Sequence, residues 1–301
     1  MFTLTKFPNV KFLNFKDIIE VNKFVYGDGT NPPEALYKYA KWEYAKKSLQ
    51  GRYLWMTNPS EWDDPFEKYF FEADYIDSAG KHHPFPFLNN VFCNCFTPDH
   101  NSEAHWITYS KTEIGVSLRI KVPELVERLN NFGKANPKYK IYIGKVSYLK
   151  LSQIQTNDIR TIHLYEDRIG SPVKRDITDP DFCANLLLLK RNSFKHDNEI
   201  RLILIRDKDK FSSKKEGIEF FYDLDGNGVR IKKYPNDKLI YRVYTSPFHD
   251  TVVHNGIRIE LEKRKYGINK YPANRLGKRI DYTRILRSRL YDKVKSQIIN
   301  I

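Results

Sequence analysis

Asp197 and Glu199 stand two residues apart, directly ahead of the apolar run Ile200–Ile205, in the stretch LLLLKRNSFKHDNEIRLILI that covers residues 186–205. Side chains two apart on a strand project to the same face. The spacing therefore predicts two carboxylates presented together at the lip of a strand, with Arg201 continuing their face. A carboxylate fixed by a rigid strand beside a cation suits a site that must hold a hydroxyl or stabilise developing positive charge. The plainer alternative is a solvated strand end whose acids pair with Lys195 and Arg201.

Three further polar clusters sit where apolar runs meet: Lys38 with Tyr39, Asp63 with Asp64 and Glu67, and His105 with Tyr109. Junctions of this kind are where mixed α and β proteins build sites. In AHWITYSKTEIGVSLRI, Trp106 and Tyr109 are three apart and share one face of a helical turn. Trp106 is expected in the core, whereas an aromatic such as Tyr109 could stack on a flat ligand ring. Cys93 and Cys95 alternate on the strand-like run VFCNCF. A metal would have to recruit His82, His83, His100 or His105 beside them, but no second ligand pair with a zinc spacing follows, so buried free thiols are expected and no metal site is assigned.

The elements that must position these groups are short and mixed. Strands are predicted at RYLWMT, VFCNCFT, GVSLRI, KIYIGKVSYL and GIEFFYDLD, the last forming a hairpin with GVRIKKYP across the turn Asp225–Gly228. Residues Ala35–Leu49 read as a helix with an alternative short strand at Tyr37–Tyr39. A helix starts at Pro123 and stops at Gly133. The pattern turns helical again from Thr161 to Leu189, broken by GSPVKRDITDPD. No repeat appears at periods of about 20 to 50 residues. An α+β fold follows, with a split, mostly antiparallel sheet and flanking helices.

The chain has 301 residues, is 41% hydrophobic and carries a formal charge of +14. That supports one large core domain, expected over residues 1–257. From 258 to 301 seven Arg and six Lys face four acids, a net of +9 in a basic C-terminal extension. Within it, Tyr282, Leu286, Leu290, Val294 and Ile298 recur every four residues behind Asp281, the pattern of an amphipathic helix. Arg264, Lys265, Lys278, Arg279, Arg284 and Arg287 are the candidate nucleic-acid contacts, since such a field attracts phosphate-rich partners. No run of about 18 apolar residues and no secretion signal is present, and the three cysteines are scattered, which predicts a cytoplasmic protein with no membrane partner.

In order, LYKY, MTNPSEWDDPFE, CNCFT, HWITYSKTEIGVSL and LKRNSFKHDNEIRLI resemble the successive motifs of the bacterial domain of unknown function 2971 family, over about residues 36–205. The usual forms are an early Lys-Tyr, an Asn-Asp-Pro-Phe-Glu box, a Cys-Phe-Ser strand, a Trp-x-x-Tyr followed by Gly, and a Lys, an aromatic and a Glu-x-Glu-x-Arg run. Glu199 and Arg201 match. Asp63 stands where Asn is usual, Glu113 where a His is common, Phe194 where Trp is frequent, and Asp197 in place of the first Glu.

The same order, an early polar strand, a central aromatic and a late Glu-x-Glu-like run, also resembles the ADP-ribosyltransferase arrangement, in which the last Glu holds a ribose hydroxyl of NAD. That resemblance implies that Glu199 orients the ribose, Asp197 positions or deprotonates the acceptor, Tyr109 stacks on nicotinamide, and Lys38, Tyr39, Thr57 and Arg201 hold the dinucleotide. Cleaving the nicotinamide bond passes through an oxocarbenium-like state, which calls for a carboxylate by the ribose and an aromatic wall. No glycine-rich phosphate loop is present. A nucleotide-utilising transferase or NAD glycohydrolase is thus expected, with a nucleic-acid acceptor and a role as a toxin or antiviral defence effector. Two other classes stay open: a metal-dependent nuclease gathering Asp63, Asp64, Glu67, Asp197 and Glu199, and a non-enzymatic binder of nucleic acid or protein using the basic C-terminal segment. Glu199→Gln is expected to stay folded.

Overall fold

The computed structural model describes residues 11–13, 33–65, 67–68, 74–76, 81–83, 87–149, 161–163, 180–207, 217–222, 239–263 and 284–287. Its strands are β1 (Lys11–Leu13), β2 (Ala35–Lys41), β3 (Tyr53–Thr57), β4 (Asp74–Ile76), β5 (His82–His83), β6 (Val91–Phe96), β7 (Gly115–Lys121), β8 (Tyr139–Lys145), β9 (Ser147–Leu149), β10 (Thr161–His163), β11 (Leu189–Arg191), β12 (Ile200–Arg206), β13 (Gly217–Phe221), β14 (Ile240–Thr245) and β15 (Arg284–Arg287). The described helices are α1 (Trp42–Gly51), α2 (Glu103–Ser110), α3 (Val122–Ala135), α4 (Pro180–Leu186) and α5 (Thr251–Lys263). The architecture is α+β with mostly antiparallel sheets.

A six-stranded sheet runs β1-β8-β12-β6-β3-β13 and a four-stranded sheet runs β15-β14-β7-β2, with two smaller sheets, β10-β4-β5 and β11-β9, beside them. The strand β12 sits inside the large sheet because IRLILI has no residue that needs water except Arg201; it pairs antiparallel with both β6 and β8. Alternation then sorts its side chains. Leu202 and Leu204 join Phe92, Phe96, Ile141 and Ile143 under the apolar stripe of α3, made by Val122, Leu125, Val126, Leu129 and Phe132. Ile203 and Ile205 face the other way, with Val91, Cys93 and Tyr142, against Cys183 and Ala184 of α4. Arg201 is on this second face. The smaller sheet is also covered on both sides, by Trp42, Ala45 and Leu49 of α1 with Ile257 and Leu261 of α5 on one, and by Trp106 of α2 on the other.

The two large sheets meet where β2 passes the end of β6. Tyr37 N–H donates to the Thr97 carbonyl at 2.7 Å and Thr97 N–H to that of Tyr37 at 3.0 Å. On the far side of β2 lies β7, which starts at Gly115 directly after α2. A Cβ at Gly115 would strike the Ser110 hydroxyl and stand 2.7 Å from the Tyr109 carbonyl oxygen, so only glycine lets the chain turn this tightly out of the helix.

Of the two readings of Ala35–Leu49, the strand leading into a helix holds, because Tyr37 and Tyr39 pair with Arg119 and Ser117 of β7. Other expectations change. Thr161–His163, where a helical pattern was read, is a strand parallel to β4, and Leu189 opens β11 instead of ending a helix. In place of a helix from Asp281, Arg284–Arg287 is a strand parallel to β14: a ladder with a waiting edge outweighs a local four-residue period. The division expected after residue 257 falls within α5, whose Leu261 packs beside Ile257. The second arm of the expected hairpin, the remainder of the terminal helix and residues 264–283 lie outside the described residues; β13 pairs with β3. Among the described residues no helix is long and apolar enough to cross a membrane. None of the three cysteines is in a disulfide; Cys93 and Cys183 are buried and Cys95 is half-buried.

Gly115→Ala is expected to lower stability by about 1–3 kcal/mol through overpacking at this turn. Urea unfolding should show a reduced midpoint with an unchanged slope.

Candidate functional site

Asp197 is not on a strand. It closes a 3-10 helix over Asn192–Asp197, and Asn198 follows in the left-handed region at φ 40°. Asparagine tolerates that conformation better than most residues, and here its amide nitrogen is held 3.1 Å from each carboxylate oxygen of Asp99. The turn swings Asp197 back so that it converges with Glu199 after all. Their meeting point is Lys190, on β11, whose Nζ lies 2.9 Å from Asp197 Oδ2, 2.9 Å from Glu199 Oε2 and 4.0 Å from Glu67 Oε2.

Glu199 is held on every side. Its other carboxylate oxygen accepts from Arg201 Nε at 2.5 Å. Its N–H donates to the Tyr148 hydroxyl at 2.8 Å, and its carbonyl accepts from Val146 N–H at 2.9 Å. Arg201 also donates from Nη2 to Glu67 and from Nη1 to the Leu187 carbonyl, and its guanidinium carbon lies 4.4 Å from the Trp62 ring centroid. Burial works to raise the Glu199 pKa, but Arg201 and Lys190 outweigh it and hold the carboxyl well below the ordinary range. Burial opposes the charge on Lys190 too, yet Glu199 and Glu67 keep its pKa raised. Glu67 goes the other way: burial raises it against the pull of Arg201 and Lys190.

Exposure separates the two carboxylates chemically. The side chains of Arg201 and Glu199 are 1% and 6% exposed, that of Lys190 is 11%, and that of Asp197 is 23%. Asp197 is therefore the acid that an incoming molecule meets, whereas Glu199 supplies fixed negative charge from behind it. Arg201, expected to hold a dinucleotide, has its guanidinium filled by Glu199, Glu67, Leu187 and Trp62, so it positions Glu199. The plainer alternative holds in one half: Arg201 does pair with Glu199, but Lys195 is exposed and the cation that both acids share is Lys190.

An aromatic wall faces the acids. The Ser102 side chain caps α2, accepting from His105 N–H at 3.5 Å. That helix aims His105 and Tyr109 at Tyr39, whose ring centroid is 4.7 Å from that of His105, 4.8 Å from that of Trp106 and 6.5 Å from that of Tyr109. The Tyr39 hydroxyl donates to the Asp99 carbonyl at 3.3 Å and accepts from Ser102 N–H at 3.1 Å. Burial, reinforced by the charges of Cys95, Glu199 and Asp197, pushes the Tyr109 hydroxyl up to about 12. It therefore acts as a neutral phenol. Lys38 reaches across from β2 to the Cys95 carbonyl at 3.2 Å, and burial lowers its pKa against the raising effect of Cys95 and Glu199.

The structure thus brings together Lys38, Tyr39, Tyr109, Asp197 and Glu199. Thr57 ends β3 opposite Cys93, one strand beyond β6. Lys190, Tyr148, Asp99 and His105 complete the site without having been assigned to it. A signal for Lys190 existed: a lysine closing an apolar run ahead of two acids is a buried charge that needs partners. Of the acids grouped as metal ligands, Glu67, Asp197 and Glu199 surround an ammonium, and Asp64 accepts from Arg191 at 2.9 Å. Among the described residues no group of three or more His, Cys, Asp or Glu has metal-holding geometry. Arg264, Lys265, Lys278 and Arg279 lie outside the described residues, and Arg284 and Arg287 are the ends of β15.

Glu199→Gln leaves two buried cations short of a partner, so the expectation that it stays folded is replaced by a loss of about 3–5 kcal/mol, with Glu67→Gln costing less. The depressed Glu199 pKa contributes stability that is complete above the unfolded value of about 4.3 and is lost as pH falls below it. Urea midpoints measured from pH 7 to pH 3 should fall on the acid side in the wild type, and more shallowly in Glu199→Gln. Compared with protein-family models, with curated proteins and with solved structures, the chain matches none.

Proposed function

We propose that the chain is a nucleotide-utilising enzyme that cleaves nicotinamide from NAD, passing ADP-ribose to an acceptor or to water, in the manner of the ADP-ribosyltransferases. The observation that carries this reading is the nearness of His105 and Tyr109, stacked with Tyr39, to Asp197 and Glu199, whose charges act on both rings. The order of an early polar strand, a central aromatic and a late Glu-x-Glu-like run, which resembles the ADP-ribosyltransferase arrangement, and the α+β, mostly antiparallel architecture agree with it.

On this reading nicotinamide stacks on Tyr109. The bond from ribose C1′ to the ring nitrogen breaks with its electron pair leaving on nicotinamide, and positive charge develops at C1′ and the ring oxygen. Fixed negative charge at Glu199, preorganised by two cations, stabilises that state without reorganising. The acceptor oxygen bonds to C1′ and gives its proton to Asp197, the acid that is open to solvent. Tyr39 and His105 face the rest of the dinucleotide, while Lys38, on the other face of β2, adds its charge near Glu199. Glu199 is too tightly held to move a proton, so the two acids divide field and base between them.

A metal-dependent nuclease is the weaker reading, since among the described residues no group of three or more His, Cys, Asp or Glu is placed to hold a metal ion. Asp197→Asn keeps Lys190 paired to Glu199 and should fold normally. It is expected to slow nicotinamide release by about 100-fold or more, whereas Tyr109→Ala should weaken NAD binding by about tenfold. Chromatographic assay of nicotinamide released from NAD by the full chain checks both; no release by the wild type with any acceptor tried, water included, sinks the reading.

A further inference from the structure

The face of the four-stranded sheet that carries Tyr39 continues away from the carboxylates, and there its chemistry changes from aromatic to basic. Register places Tyr37 opposite Arg119, Arg119 opposite Arg242, and Arg242 beside Arg284, a single row across all four strands. With strands about 4.8 Å apart, the row spans about 14 Å. Tyr241 stands at the irregularity where β14 shifts register against β7, and three cations gather round its ring: Arg119 at 4.8 Å, Lys121 at 5.3 Å and Arg242 at 5.8 Å from the centroid. Arg119 also lies 5.9 Å from the Tyr37 ring.

Like charges round one ring repel, and the described carboxylates do little to offset them. Lys121 pairs with Glu124 at 3.5 Å, and Glu34 acts on Tyr37 and Tyr241 from nearby. Among the described residues neither Arg119 nor Arg242 has an acidic partner; Arg242 bonds the Tyr244 side chain, and Arg119 Nε and the Tyr241 hydroxyl are without a hydrogen-bond partner. Cation–π contacts alone could serve as a structural staple, but a staple needs one cation per ring. Several cations in register with tyrosines answer a ligand that repeats a phosphate and a flat base, and a row about 14 Å long exceeds a single phosphate.

We propose that this face of the four-stranded sheet binds single-stranded nucleic acid, with Arg119, Lys121 and Arg242 on phosphates and the Tyr241 ring under a base. Tyr37 is two residues from Tyr39 on β2, so the row lies on the same face of the sheet as Tyr39. The binding stands on the sheet face alone.

Fluorescence anisotropy of a labelled 12-nucleotide thymidine oligomer and of the matching duplex, with the full chain and over a range of salt, tests it. Arg119→Gln and Arg242→Gln should each weaken single-strand binding about five- to tenfold at low salt and reduce the salt slope by about 0.7. Tyr241→Ala should weaken it about tenfold with the slope unchanged, and the duplex should bind less tightly than the single strand. Lys278→Gln with Arg279→Gln, in the basic segment beyond α5, separates the two sources of charge. The proposal is overturned if the wild type binds no oligomer, if only the change at 278 and 279 weakens binding, or if duplex and single strand bind alike with Tyr241→Ala silent. Urea midpoints equal to the wild type confirm that each variant is folded, and Arg242→Lys, which keeps the charge, should retain the slope. Oligomer binding without any NAD turnover would leave this inference standing and remove the proposed reaction alone.

Discussion

The buried contact between Glu199 and its two cations is the constraint on which the rest of the site depends. Arg201 occupies a position in β12 whose neighbours on the same face are Ile203 and Ile205, where an unpaired guanidinium would cost several kcal/mol. Glu199, Glu67, the Leu187 carbonyl and the Trp62 ring together meet that demand, and they come from three separate parts of the chain. Lys190 adds a cation from the part that holds Leu187. The ion cluster therefore decides how the helical turn after Asp64, the start of β11 and the 3-10 segment ahead of β12 sit against the sheet, and the placing of Asp197 at the rim is a by-product of satisfying buried charge.

One consequence is a division of labour between two acids that look equivalent in sequence. A carboxylate enclosed by an arginine and a lysine keeps its charge and is closed to an incoming group. A carboxylate at the rim, between the lysine and the exposed His196, is open to one. The asymmetry comes from the left-handed turn at Asn198, which separates the two by a change of direction and not only by one residue. His105 and Tyr109 are set by a second, independent device, the capped helix α2 and the tight exit through Gly115.

Much of the frame was legible in the sequence. The runs at 53–57, 91–96, 115–121 and 200–205 are apolar enough to be strands, and Pro123 marks the start of α3, so the mixed, mostly antiparallel fold follows from local patterns. The pairing of Asp197 with Glu199 and the core position of Trp106 were also readable. What was not readable depends on partners distant in sequence. Lys190 looks like the end of an apolar run until the acids seven and nine residues later fold back on it. Arg201 looks like a ligand contact until Glu67, 134 residues away, reaches its guanidinium. The strand at Arg284–Arg287 carries a helical period and is turned into a strand only by the open edge of β14.

The two hydrogen bonds between Tyr37 and Thr97 have a consequence for how this architecture can vary. They join the carboxylate-bearing sheet to the aromatic-bearing sheet through main-chain atoms, so the alignment of the two walls is indifferent to which side chains stand at 37 and 97. It is sensitive instead to counting. One residue inserted in β2 between Tyr37 and Lys38 would exchange the faces of everything beyond it, sending Tyr39 toward the α1 side and Lys38 into the stack with His105. Drift in composition along this strand is therefore cheap, and drift in length is not.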